Sequence, residues 1–315
     1  PQNRAQAAAT SLAPTAPPSP RPTPTPGRPL LGSGYAAVED PSSRRLVVFG
    51  GIDSYSTTWL WDGARWSLAR PPVSPPGRFR AASTYDPSTR TVMLFGGRLG
   101  TGQAADDTWA WDGSTWRQLA AGTGEPPAGE GSVMAWDATR HQVVLTHSTD
   151  RAAGETWTWN GAAWTRQAGG TLPPGAFVVA LAVDPADGDL LATTCCAPGL
   201  GTSGTLAWNG SSWRQVTTPT VPAFTVALAL DPVTGHLLLC GDPALGGGKE
   251  LWSWTGSDWS LLTGARLPVF PEAAVTDATA GHLVILGSFA EPREGSPQPV
   301  HVWTWNGSAW TPAGG

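Results

Sequence analysis

Six tryptophans, each closing a short repeated pattern, constrain this chain more than any other feature. Trp66, Trp116, Trp164, Trp213, Trp259 and Trp310 follow one another at intervals of 50, 48, 49, 46 and 51 residues. Ahead of them stand Trp59-Leu60-Trp61-Asp62-Gly63, Trp109-Ala110-Trp111-Asp112-Gly113, Trp157-Thr158-Trp159-Asn160-Gly161, Leu206-Ala207-Trp208-Asn209-Gly210, Trp252-Ser253-Trp254-Thr255-Gly256 and Trp303-Thr304-Trp305-Asn306-Gly307. A unit of this length, recurring six times, buries its apolar faces against copies of itself and builds a repeat architecture.

Turn chemistry divides each unit into four strands. In the second, Arg80 to Tyr85 reads as a first strand closed by Asp86-Pro87-Ser88-Thr89, a strong turn signal. Thr91 to Phe95 is short, apolar and ended by Gly96-Gly97, as expected of a strand covered on both faces. Thr108 to Trp111 and Thr115 to Leu119 follow, joined at Asp112-Gly113, which reads as a two-residue hairpin. An aspartate ends the first strand in all six units: Asp40, Asp86, Asp137, Asp184, Asp231 and Asp277. A feature repeated around a ring builds the ring, so these carboxylates are expected to be structural.

The double glycine of Leu94-Phe95-Gly96-Gly97 and Val47-Val48-Phe49-Gly50-Gly51, the pattern Asp107-Thr108-Trp109-Ala110-Trp111-Asp112 with Trp116, and the connector Pro75-Pro76-Gly77-Arg78 resemble the kelch repeat. The resemblance spans residues 34 to 312 and weakens in the last three units, which lose the double glycine. It implies an all-β, six-bladed β-propeller with four antiparallel strands per blade and units at about 34–70, 78–120, 130–168, 175–217, 223–262 and 271–312. Every unit carries its own four strands, which predicts closure without strand exchange. The resemblance also implies functions that are chiefly protein binding, with a copper-dependent galactose oxidase branch that needs two His and two Tyr. Here the tyrosines are Tyr35, Tyr55 and Tyr85, all in the first two units, so no cofactor, no metal site and no catalytic residue is expected.

Strand periodicity of two puts Trp59 and Trp61 on one sheet face, with their counterparts in the other units. Radial sheets bury both faces against their neighbours. The whole set (Trp59, Trp61, Trp66, Trp109, Trp111, Trp116, Trp157, Trp159, Trp164, Trp208, Trp213, Trp252, Trp254, Trp259, Trp303, Trp305 and Trp310) is therefore expected between blades rather than exposed as sugar-stacking platforms.

A net charge of −5, and Lys249 as the only lysine, leave no electrostatic footprint for nucleic acid. No apolar run reaches the roughly 18 to 20 residues that span a bilayer. Residues 1–33 are rich in Pro, Thr and Ala and read as a disordered linker. That linker and the scarcity of lysine point to a monomeric domain tethered outside the cytoplasm, in the extracellular space or cell envelope. Cys195, Cys196 and Cys240 read as small buried hydrophobes, with an inter-blade disulfide as the alternative.

Nucleophile, phosphate and zinc motifs are missing from the sequence. Loops between second and third strands share one rim with the connectors between units, and binding belongs there. By position and type, the candidate contacts are Tyr55, Arg80, Arg98, Asp106, His147, Arg151, Asp242 and Phe289. The reading is a non-catalytic module that binds a protein or glycan. A carbohydrate-active enzyme and an architectural spacer are the alternatives.

Overall fold

A computed structural model describes residues 27–52, 56–119, 124–148, 153–196, 204–220, 222, 225–241, 249–289 and 297–314. Six four-stranded antiparallel sheets follow in chain order, each made of consecutive main strands of one unit. The first strands are Tyr35–Asp40, Ala82–Asp86, Ser132–Asp137, Ala176–Val183, Thr225–Leu230 and Phe270–Asp277. Each packs against the first strands of both neighbouring blades, blade 1 against blade 6 included, so the six encircle a central axis. The chain is a six-bladed β-propeller, and among the described residues no helix is long and apolar enough to cross a membrane.

Second strands form the dry middle of each blade. Val92, Met93, Leu94 and Phe95 are all buried, as their continuous apolar run predicts. The tryptophans fill the wedges between blades: twelve of the seventeen are buried, five are partly buried, and none is exposed. Trp109, Trp111 and Trp116 of blade 2 pack on Ala36, Val47 and Phe49 of blade 1, while Trp157, Trp159 and Trp164 of blade 3 pack on Met93 and Phe95 of blade 2. The same direction holds around the ring, and Trp59 and Trp61 close it on Val284 and Leu286 of blade 6. Removing one such indole costs roughly 3 to 5 kcal/mol.

The tryptophan hairpin differs from the two-residue turn expected of Asp-Gly. Trp111 pairs directly with Trp116, leaving a four-residue loop of Asp112, Gly113, Ser114 and Thr115, so Thr115 lies outside the fourth strand. Asp112 Oδ1 accepts the N–H groups of Ser114 and Thr115, both at 2.8 Å, and Gly113 takes a φ of 95°. Cross-strand contact between the two indoles, 5.5 Å apart, sets the register.

The strand-ending aspartates are structural. Asp86 accepts Ser88 N–H at 2.8 Å on one oxygen and Thr89 Oγ1 at 2.9 Å on the other. Ser43, Arg140 and Thr234 serve the second oxygen of Asp40, Asp137 and Asp231 in the same way. In blade 4 the corresponding residue is Asp187, which as a carboxylate has no proton to donate, and the Trp254 indole of the next blade fills the role at 2.7 Å.

Ring closure uses side chains on backbone instead of an exchanged strand. Glu39 of blade 1 accepts the N–H groups of Ala278 and Thr279 at 3.0 and 3.1 Å and the Thr279 hydroxyl at 2.8 Å, all from blade 6. Strand pairing is present before residue 33, within the stretch read as linker. Leu30–Leu31 pairs with Gln298–Pro299, and Arg28 donates to His301 Nδ1 at 2.8 Å and to the Gly314 carbonyl at 3.0 Å. Cys240 is a free, buried thiol whose pKa burial pushes up to about 12, and the side chains of Cys195 and Cys196 lie outside the described residues.

Candidate functional site

The rim carrying the connectors and the loops between second and third strands is organised by one buried ion pair. Arg78, fully buried at the start of the blade 2 connector ribbon, donates to the Gly96 and Pro76 carbonyls, both at 3.0 Å. It also grips the Asp107 carboxylate through both terminal nitrogens, Nη2 to Oδ2 at 2.9 Å, and the Trp109 indole donates to the same Oδ2 at 2.7 Å. Burial pushes the Asp107 carboxyl up, but these donors outweigh it and hold the group below its ordinary value. The double glycine makes room for this crossing: a Cβ on Gly97, whose φ is 87°, would meet the Phe79 carbonyl at 2.7 Å.

From that anchor the chain builds a two-stranded ribbon, Arg78–Phe79 against Arg98–Leu99, with Phe79 opposite Arg98. Arg80 and Arg98 thereby converge on Glu130, at 3.5 and 3.3 Å. Their side chains are 61% and 48% exposed, and that of Glu130 is 35% exposed. The Arg80 N–H donates to the Gly34 carbonyl at 2.6 Å, and Gly34 N–H donates to Glu272 Oε2 at 3.1 Å. Burial raises the Glu272 carboxyl above its usual range, with the Gly34 bond and the Arg80 charge offsetting part of the shift. Glu272, Arg80, Glu130 and Arg98 thus form an arc of alternating charge drawn from three blades.

Arg80 holds its place in a left-handed backbone, φ 52°. The other non-glycine residues with this conformation, Arg44, Arg90 and His141, each stand four residues after a strand-ending aspartate, where Gly188, Gly235 and Gly281 stand in blades 4 to 6. Among the described non-glycine residues with this conformation, Arg80 alone departs from that repeated position.

Other candidates from the sequence go elsewhere. His147 is buried rather than displayed: its Nδ1 lies 3.0 Å from Ser132 Oγ, and burial lowers its pKa, with Glu155 partly offsetting. Glu155, His147 and Ser132 stand in a row across three strands, a hydroxyl–imidazole–carboxylate order. Ser132 and His147 are only 8% and 7% exposed, and Gly129 covers the imidazole so closely that a Cβ there would sit 2.3 Å from it, which leaves no approach for a substrate carbonyl. Asp106 is exposed and apart from the arc, near Glu125, whose carboxyl is raised by burial and then by Asp106 and Asp107. Phe289 is 59% exposed on blade 6, its ring centroid 3.9 Å from that of His301. Tyr55, Arg151 and Asp242 lie outside the described residues.

Sequence reasoning named both arginines of the arc and neither carboxylate. Glu130 and Glu272 lie where the units diverge, and nothing in their spacing marks them. Along the axis, the first strands enclose a channel of about 470 Å³. Its walls are largely small and apolar, Ala37, Ala135, Ala182 and Ala229 among them, with Tyr85 and Trp136 one residue before the strand-ending aspartates. Among the described residues, no group of three or more His, Cys, Asp or Glu is placed to hold a metal ion.

No protein-family model matches the sequence, and no curated protein matches it. Solved structures do match in fold. One of YjhT superposes with a TM-score of 0.61 at 13% identity, covering 91% of this chain and 99% of that one. SapL1 lectin in complex with alpha methyl fucoside gives 0.60 at 15% identity, with 90% and 96% covered. A fungal lectin from Aleuria aurantia, whose structure is described as a six-bladed β-propeller with a novel fucose recognition mode, gives 0.60 at 13% identity, with 90% and 95% covered.

Proposed function

We propose that this chain is a non-catalytic glycan-binding module that holds its ligand on the rim where Arg80, Arg98 and Glu130 meet. The observation that carries this reading is the pair of exposed guanidiniums flanking one partly buried carboxylate, with one of them fixed by a left-handed backbone. Exposed ion pairs add at most about 1 kcal/mol to stability, so folding alone gives little reason for such an arrangement. Guanidinium donors beside a carboxylate acceptor suit saccharide hydroxyls, which donate and accept at once. Propellers of similar fold described as lectins support the reading.

The test is an array of glycans, run beside an array of proteins and probed with the full chain and with its Arg98→Gln and Glu130→Gln variants. Binding to a defined glycan class that both variants lose, at unchanged melting temperature, is the expected result. Silence on the glycans, ligands confined to the proteins, or variants that bind like the parent would overturn it.

A further inference from the structure

A second groove lies on the same rim but shares no residue with the arc, where blade 5 leads into blade 6. It has a volume of about 330 Å³ and is lined by Lys249, Glu250, Leu261, Leu262, Thr263 and Arg266, among others. The Leu267 N–H donates to the Lys249 carbonyl at 2.8 Å, which fastens the returning chain beside the start of the third strand, Glu250–Trp254. That bond brings Lys249 and Arg266 to the same groove. The Lys249 ammonium rests 4.2 Å from the centre of the Phe270 ring, which holds its position.

We propose that this groove binds an acidic saccharide, with the carboxylate or sulfate of one sugar between Lys249 and Arg266 and the sugar's C–H face on Leu261 and Leu262. Three observations carry it. Among the described lining residues, two cations share one concavity with a single carboxylate, Glu250, on a chain whose net charge is −5. No carboxylate of the described residues forms an ion pair with Lys249; burial, and then the nearby Arg266, hold its ammonium below the ordinary value, a cost that a bound anion relieves. Leu261 is 38% exposed, an apolar surface beside the charges, which suits an amphipathic sugar better than a bare ion. A long polyanion would meet repulsion from the rest of the surface, whereas one acidic sugar fits within the groove.

The inference deepens the glycan reading but uses different residues, so the two fail separately. Calorimetric titration of the full chain with glucuronic acid, glucose 6-sulfate, glucose and inorganic sulfate is the experiment. At least one acidic sugar is expected to bind more tightly than both glucose and sulfate, and to lose about tenfold or more in affinity in Lys249→Met and in Arg266→Gln. Lys249→Arg should retain most of the binding, and Arg65→Gln, at an exposed arginine outside both sites, all of it. Binding of sulfate as tight as that of glucose 6-sulfate would overturn the saccharide, and equal affinity in Lys249→Met would overturn the site. Loss in Arg98→Gln alone would return the acidic sugar to the arc of Arg80, Glu130 and Arg98. No preference for either acidic sugar over glucose would reject the inference while leaving the rim proposal standing.

Discussion

The indole N–H of Trp164 donates to the hydroxyl of Thr108, 56 residues earlier and one blade back, at 2.9 Å inside the wedge between the two sheets. Trp116 makes the same bond to Thr58, Trp213 to Thr156 and Trp259 to Thr205, at 2.7 to 2.9 Å. Leu251 and Val302 occupy the threonine's place in blades 5 and 6, and Trp310 turns instead to the Ala265 carbonyl at 3.5 Å. Four of the six wedges are thus latched by a polar bond within an apolar seam.

Replacing Thr108 with Val keeps the shape and deletes the acceptor, stranding a buried donor. The expected loss is about 1 to 3 kcal/mol, and Thr58→Val should cost a similar amount. Urea unfolding followed by tryptophan fluorescence measures it. Equal stability of parent and variant would mean that these bonds merely accompany the packing.

Glu39 ties blade 1 to blade 6 through three donors. Its replacement by Ala is expected to cost roughly 2 to 3 kcal/mol, since bonds to charged groups are the stronger kind. Limited proteolysis should then cut first at the seam between the terminal blades. A variant that resists protease as well as the parent does would assign closure to the Leu30–Leu31 ribbon instead.

Gly235 has a φ of 74° and open space around the position of a Cβ, so Gly235→Ala tests backbone strain alone. About 1 kcal/mol should be lost. At the equivalent position of blade 2, Arg90 already bears that strain at a φ of 56°, and Arg90→Gly should be neutral or stabilising. Thermal unfolding of the two variants checks the opposite signs.

Asp107 sets an acid limit. Its folded pKa is depressed, so its contribution is present above the unfolded value of about 3.9 and fades as pH falls from there through the lower folded value. Asp107→Ala should cost roughly 3 to 5 kcal/mol at neutral pH by leaving Arg78 buried and unpaired. The gap between parent and variant should narrow below about pH 4. A gap that stays constant down to pH 2 would remove the ion pair from the account.

What the sequence made legible is what repeats. Blade number, strand order, buried second strands and the tryptophan seams all follow from periodicity, which one chain displays six times over. The loop after Trp111 was misread because Asp-Gly is a strong two-residue turn signal, whereas pairing of Trp111 with Trp116 and the two N–H groups on Asp112 favour four residues. The threonine latches join residues more than 50 positions apart in different units, and no local pattern reveals such a partner. Glu39, Glu130 and Glu272 occur once each in their roles. The left-handed backbone of Arg80 was equally hidden, because residue type announces that conformation only for glycine, Asn or Asp.

Every tryptophan face leans on the blade made before it, with one exception: Trp59 and Trp61 wait for blade 6. During synthesis each newly emerged blade from the second onward therefore finds its seat already built, and only the first must keep an oily flank uncovered until the chain is nearly complete. A ribosome-bound chain ending after blade 5 should carry that flank bare, with the indoles of blade 1 emitting at longer wavelength than in the finished ring.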